Sequence, residues 1–445
     1  MTRLQSSREA TPNAVQRPLQ TPKGMADLLP PFAGERRALS GRLLEHFGLS
    51  GYALVTPPLF EHAVVVERGN DLHTARGVLR FVEPETGEVA VLRPDITPQV
   101  ARIAATRLTD RPAPHRLCYE GRVLRRPLGR ARMHRQVAQV GVECIGIASP
   151  IGDVETIGLA CSACETVGLK DYRVELCTSA LVLPALSALP SQDIRDEVAR
   201  LVATKDTAAL RAMAAQHDLP DATVQRLEAL IDHYGDLTVL DSARRVFTDD
   251  AAQAALTNLA AICAGLTERG SGAHLRVDLG ETRGRAYYTG ASFQILADGP
   301  GQAIGRGGRY DNLLGHFGAA QPATGFALSV DNLQWALQEH GIRYRDTTAP
   351  RFVVSGTSST PELDAGQPVA QRLREAGFTA ATLPHSPSAD QALAFAKSWG
   401  YHAAVVVADQ GMHALRTADG ATRALQTLDS TAITGLVEWA CASED

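Results

Sequence analysis

In the strand-like run Val137-Ala-Gln-Val-Gly-Val-Glu-Cys-Ile-Gly146, Gln139, Gly141 and Glu143 fall on one face, and Ala138, Val140, Val142 and Cys144 on the other. Two polar side chains on one strand face with a glycine midway between them read either as the floor of a pocket for a small zwitterion or as an ordinary solvated sheet face. Arg283, in Asp278-Leu-Gly-Glu-Thr-Arg-Gly-Arg-Ala-Tyr287-Tyr288, offers a planar guanidinium that grips a carboxylate bidentately. The adjoining Tyr287 and Tyr288 supply an aromatic wall with a hydroxyl, or simply core. In Leu92-Arg-Pro-Asp-Ile-Thr97-Pro98, Asp95 suits an ammonium group, while Thr97 before Pro98 also fits a helix N-cap with proline at N1. The basic run Arg122, Arg125, Arg126, Arg130, Arg132 and Arg135 holds phosphates or faces solvent. Gly305-Arg-Gly-Gly-Arg-Tyr-Asp311 lacks the Gly-Lys-Ser/Thr ending of a phosphate loop and reads as a turn from strand into helix.

These residues need a sheet to hold them, and the pattern supplies one. A helix is expected over 33–47 and a strand over 52–60, whose two prolines bar it from the middle of a ladder. Further strands are expected at 78–82, 89–92, 115–124, 137–146 and 173–176, with helices at 98–108 and 152–167. Hairpin-connected strands with helices between them predict an α+β domain on an antiparallel sheet. Residues 184–270 are rich in Ala, Leu, Asp and Arg at a 3.6-residue period, the mark of a helical insertion. Strands return at 274–279, 285–297 and 322–330, then a helix at 331–340, so chain beyond the insertion completes the sheet. The expected division is a disordered tail over 1–20, a core of 21–183 plus 271–342, the insertion 184–270, a linker near 343–350, and a small α/β domain over 351–445.

Composition excludes several classes of function. The 445-residue chain carries a formal charge of −5, without the global basic excess of a nucleic-acid binder. Residues 351–445 hold six basic against ten acidic side chains, a net of −4, which argues against RNA binding there. No apolar run is long enough for a bilayer, and the polar first twenty residues lack the apolar stretch of a secretory signal, so a cytoplasmic protein is expected. Seven cysteines, an odd number mostly inside apolar runs, fit reduced thiols. Cys161-Ser-Ala-Cys164 has redox or zinc spacing, but with no second pair and no nearby His it reads as buried structural thiols. No metal or cofactor is expected.

Taken in order, these segments resemble the class II catalytic core of histidyl-tRNA synthetase and its relatives. Residues 21–30 are similar to the family's opening, 92–98 to its Arg-Pro-Glu-Gly-Thr segment and 122–146 to motif 2. The stretches 283–290 and 307–311 are similar to its histidine motifs, and 325–333 to motif 3. The resemblance implies a class II aminoacyl-tRNA synthetase-like antiparallel sheet with helices, the helical insertion, and a C-terminal domain like the family's anticodon-binding domain. It sets Glu143 and Tyr288, with Tyr287 beside it, against an imidazole, and Gln139 and Arg283 near a carboxylate. Asp95 (Glu in the synthetases) and Thr97 go to the α-ammonium, and Arg125 matches an arginine that meets the α-phosphate of ATP. Three departures stand out: Asn332 replaces the motif 3 arginine, Arg285-Ala286 replaces Leu-Asp, and the C-terminal domain is acidic. All three fall on ATP chemistry or tRNA, and the amino-acid contacts are largely kept. That selective pattern resembles the regulatory subunits of ATP phosphoribosyltransferase within this family. It implies a non-catalytic subunit that senses histidine, partnered by a short-form ATP phosphoribosyltransferase catalytic subunit, with a homodimer through the synthetase-like core. A functional histidyl-tRNA synthetase or a tRNA-sensing module are the alternatives.

Overall fold

The structure, a computed structural model, describes residues 20–69, 78–125, 135–282, 287–344, 350–356, 365–383, 388–408 and 411–442. The expected tail over 1–19, the middle of the basic run, Arg283 to Ala286 and most of the linker lie outside them. Two compact units emerge, one comprising Met1–Leu28 with Leu43–Glu339, the other Leu29–Arg42 with His340–Asp445.

The first unit is organised by a nine-stranded sheet. Its strands are β1 (Ala53–Leu54), β5 (His115–Leu124), β6 (Gln136–Ile145), β7 (Arg173–Thr178), β8 (Tyr234–Gly235), β9 (Leu275–Asp278), β10 (Ala291–Leu296), β11 (Gly305–Arg309) and β12 (Ala323–Ser329). Their order is β1-β5-β6-β12-β11-β10-β7-β9-β8. The central run from β5 to β7 is antiparallel throughout; β1 and β9 add parallel pairs at the flanks. A separate three-stranded sheet, order β2-β4-β3, joins β2 (Phe60–His62), β3 (Leu79–Val82) and β4 (Val89–Leu92). The strand expected over 52–60 is thus two short strands in different sheets, parted at Pro57-Pro58, where missing N–H groups end any ladder. The segment 305–309, expected as a turn, is a full strand between β10 and β12. Its glycines mislead a local reading. A Cβ at Gly307 would come within 2.6 Å of Phe293 and Phe326 side-chain atoms, so glycine leaves room for the rings of neighbouring strands.

Behind the sheet, Val140, Val142, Cys144, Phe293 and Phe326 form an apolar layer, against which the helix Pro150–Thr166 packs. Asp153 on that helix receives Nε and Nη2 of Arg309 at 3.0 and 2.8 Å, and the pair is buried. Between β7 and β9 come the helices Ser179–Ser187, Gln192–Ala203, Thr207–Gln216, Asp221–Asp232, Val239–Val246 and Asp250–Glu268. Side-chain caps from Ser191, Asp206 and Asp249 start three of these helices. The insertion is helical as its period predicts, apart from β8, a two-residue strand that pairs with β9. Its Lys205 forms an ion pair with Asp278 at the end of β9.

The second unit contains a five-stranded sheet of β13 (Arg351–Gly356), β14 (Thr379–Leu383), β15 (Ala403–Ala408), β16 (Gly411–Arg416) and β17 (Thr422–Leu425), order β14-β13-β15-β16-β17. The first three are parallel; β16 and β17 extend them as antiparallel strands absent from the sequence-based expectation. Phe352 and Val354 pack into one core, Val353 and Val406 into another, so both faces of β13 are covered.

Candidate functional site

The polar face of β6 is not solvated. Gln139 and Glu143 are only 4% and 1% exposed, which removes the bland reading of that face. Strand pairing explains how the carboxyl fits. Glu143 lies opposite Gly325 of β12, and a Cβ on Gly325 would sit 1.9 Å from Glu143 Oε2; glycine there is the socket for the carboxyl. Gly141 does a different job from the one its position suggests. It faces Tyr119 of β5, and a Cβ at 141 would meet that ring's hydroxyl at 2.5 Å, so the space between Gln139 and Glu143 is filled by Tyr119.

Other elements bring hydroxyls to the carboxyl. Tyr310, immediately after β11, donates to Glu143 Oε2. Thr97 is the first residue of the helix Thr97–Arg107, and that helix has no side-chain cap. Its hydroxyl lies 3.5 Å from Tyr119 OH instead, so the capping reading gives way to one in which Thr97 turns into the site. Asp95 binds its own chain through Ile96 N at 2.8 Å and lies within electrostatic reach of Glu143, Tyr119, Tyr287 and Tyr288. Tyr287 packs edge-on to Tyr288 at 5.3 Å and against Tyr310 at 5.2 Å. Arg125 Nε donates to Pro94 O at 3.1 Å, and its charge reaches Tyr288. Asp95, Thr97, Tyr287, Tyr288 and Arg125 are therefore gathered around Glu143; Gln139 is buried on the same face of β6, and Arg283 lies outside the described residues.

Burial pushes the Glu143 carboxyl up to about 8, although donors from Tyr310 and Thr97 pull it down; the nearby Asp95 pushes it further up. Among the candidate site residues that the structure describes, three have a buried polar atom with no hydrogen-bond partner: Glu143 Oε1, Gln139 Oε1 and Tyr287 OH. Such groups are costly to leave unpaired, and Glu143 with Tyr287, close enough to interact, marks a place shaped for a polar ligand.

Tyr310 was missed as a site residue, because its segment reads locally as a turn. The pair of glycines before it was the available signal, since strand glycines mark close approach. Arg309 is fully engaged with Asp153, Asp311 and the carbonyls of Ile147 and Ser149. Asn332 donates to Ala303 O at 3.0 Å and so spends its side chain inside the fold. Among the described residues no group of His, Cys, Asp or Glu is placed to hold a metal ion. Cys161 and Cys164 are buried, and desolvation lifts the Cys161 thiol to about 11, as suits structural thiols.

Comparison with known proteins gives the family. Residues 24–333 match the histidyl-tRNA synthetase family. The ATP phosphoribosyltransferase regulatory subunit of Geobacter sulfurreducens is 34% identical over 407 residues, 90% of this chain and 92% of that protein. The chain belongs to the ATP phosphoribosyltransferase regulatory subunit family, on a histidyl-tRNA synthetase-like core. The regulatory subunit of Moorella thermoacetica is similar at 37% identity, covering 81% of this chain and 89% of its own. A solved Bacillus halodurans structure, described as an ATP phosphoribosyltransferase regulatory subunit/histidyl-tRNA synthetase, superposes with a TM-score of 0.74 over 88% of this chain and 98% of its own; at 24% identity it supports the fold. Both likenesses span the large sheet, so the class II synthetase-like fold read from the motifs is the fold of this family member.

Proposed function

We propose that this chain is a non-catalytic regulatory subunit that binds histidine on the polar face of β6 and passes its occupancy to a short-form ATP phosphoribosyltransferase catalytic subunit, making the first step of histidine biosynthesis sensitive to its end product. The observation that carries the reading is the neighbouring pair of unpartnered groups Glu143 Oε1 and Tyr287 OH, with Gln139 Oε1 unpartnered further along the same strand face, in a site where Asn332 and Arg309 are occupied elsewhere. In this reading Glu143 and Tyr288 meet the imidazole, Gln139 and Arg283 the carboxylate, and Asp95 and Thr97 the ammonium, with Tyr287 and Arg125 at the edge of the site. Tyr310 is added to this set as the donor that fixes one oxygen of Glu143 and leaves the other for the ring.

The absence of an arginine at position 332 supports a site that binds without adenylating. A charge-assisted clamp on phosphate is worth about a hundredfold or more in rate, and an asparagine already hydrogen-bonded to Ala303 O supplies none. Two measurements on the full chain test the proposal. Calorimetry should detect histidine binding in the absence of ATP, and a co-purified short phosphoribosyltransferase should gain activity from this chain and lose it on adding histidine. Sustained histidine-dependent ATP–pyrophosphate exchange would identify a synthetase and overturn it.

A further inference from the structure

A second arginine lies just upstream of the site, and its surroundings are unusual. Arg93 is 5% exposed, and among the described residues its hydrogen bonds go to neutral oxygens. Nε donates to Arg122 O at 2.9 Å, and Nη1 to Pro57 O, Pro58 O and Gln99 Oε1 at 2.9, 3.1 and 3.3 Å. Burying a guanidinium on carbonyl dipoles is expensive unless its geometry is needed. The sheet makes room for it, because a Cβ at Gly121 would lie 2.1 Å from Arg93 Nη2. The backbone repeats the bridge: Arg93 N donates to Leu59 O beside the small sheet, and Leu124 N of the large sheet donates to Arg93 O. Gln99 continues it on the following helix through Nε2, which donates to Pro58 O at 2.9 Å.

We propose that Arg93 is a positioning residue: it ties the Pro57-Pro58 crossing, the β5 hairpin and the start of the helix Thr97–Arg107 into one rigid corner, and so sets Asp95 and Thr97 against the ammonium of the ligand. This rests on reading the pocket as a histidine site. Asp95 lies two residues after Arg93 and Thr97 four, with no slack between them: Leu124 N holds Arg93 O, Arg125 holds Pro94 O, and Ile96 N holds Asp95. Arg93 itself touches no ligand atom in this scheme. A shift of the small sheet relative to the large one is felt first at Asp95 and Thr97, and little at Glu143, which is fixed from β12 and Tyr310.

The test compares two ligands on the full chain by calorimetry: histidine, and imidazole-4-propionate, which keeps the ring and carboxylate but lacks the α-ammonium. Arg93→Met and, independently, Gly121→Ala, which evicts the guanidinium without removing it, are each expected to weaken histidine about tenfold, the scale of one hydrogen bond to a charged group. Imidazole-4-propionate should change by less than about twofold, as for an independent site. Combining Arg93→Met with Asp95→Asn should cost less than the sum of the two. Equal losses for both ligands, or no loss for either, would overturn the assignment. Should wild type bind neither ligand, the histidine reading fails and amide exchange decides on Arg93: faster exchange at Ile96 to Gln99 with β10 unchanged upholds it, and unchanged exchange sinks it.

Discussion

Glu143 is the residue on which the site turns, and its titration is testable without any partner. Its carboxyl is raised to about 8 in the fold, against an ordinary 4.5, so the folded protein binds the proton more tightly than the unfolded chain. Stability from this group is fully present below about pH 4.5 and is lost as pH rises through 8, with an upper bound of roughly 5 kcal/mol for so large a shift. Glu143→Gln removes that slope. Urea melts at pH 5 and pH 9 should show the variant less pH-dependent than wild type and more stable at pH 9. For binding, Glu143→Ala should weaken histidine by at least about 2 kcal/mol, the cost of leaving a buried partner unpaired; unchanged affinity in calorimetry would place the pocket elsewhere. At this scale the sequence was informative where chemistry is periodic. Alternation alone put Gln139 and Glu143 on one face, but the direction of Thr97 stayed hidden behind a helix-start motif, and Tyr310 behind two glycines.

Strand pairing decides what the glycines do, and pairing is invisible to local pattern. Gly325 looks like a weak point in β12 until its neighbour is known to be Glu143. Gly325→Ala puts a methyl 1.9 Å from the carboxyl oxygen and 2.4 Å from the Val142 carbonyl oxygen of β6, so both the carboxyl and the β6–β12 pairing must shift; denaturant melts should show lower stability, and histidine affinity should fall about tenfold or more. Behind the sheet, Arg309→Met strands Asp153 in an apolar layer. Denaturant melts should register a loss of about 3–5 kcal/mol, as for breaking one side of a buried ion pair. Helix and strand periods were legible almost everywhere, the insertion included. The misses, β11 and the β16–β17 pair, are short strands rich in glycine or flanked by turns, whose identity comes from neighbours far along the chain.

Charge bears on the whole molecule. A net of −5, with −4 in residues 351–445, leaves little counterion release to drive association with a polyanion. A gel-shift with micromolar tRNA at physiological salt should show no complex; a shift would favour the tRNA-sensing alternative. The family-level architecture was readable because six motif segments appear in order, while the relation of the three-stranded sheet to the large one, through Arg93, rests on contacts between residues far apart in the chain.

The bond from Tyr310 to Glu143 spans 167 residues, and the helical insertion lies within that span. During synthesis, a chain that has not yet reached residue 310 has β6 but neither the strand that sockets its carboxyl nor the hydroxyl that holds it. On the reading proposed above, recognition of histidine requires both halves of the sheet to be made and zipped together, a long-range closure that folds slowly. Ligand affinity in this protein doubles as a report that folding is finished, and histidine added during refolding should bind only in the last phase.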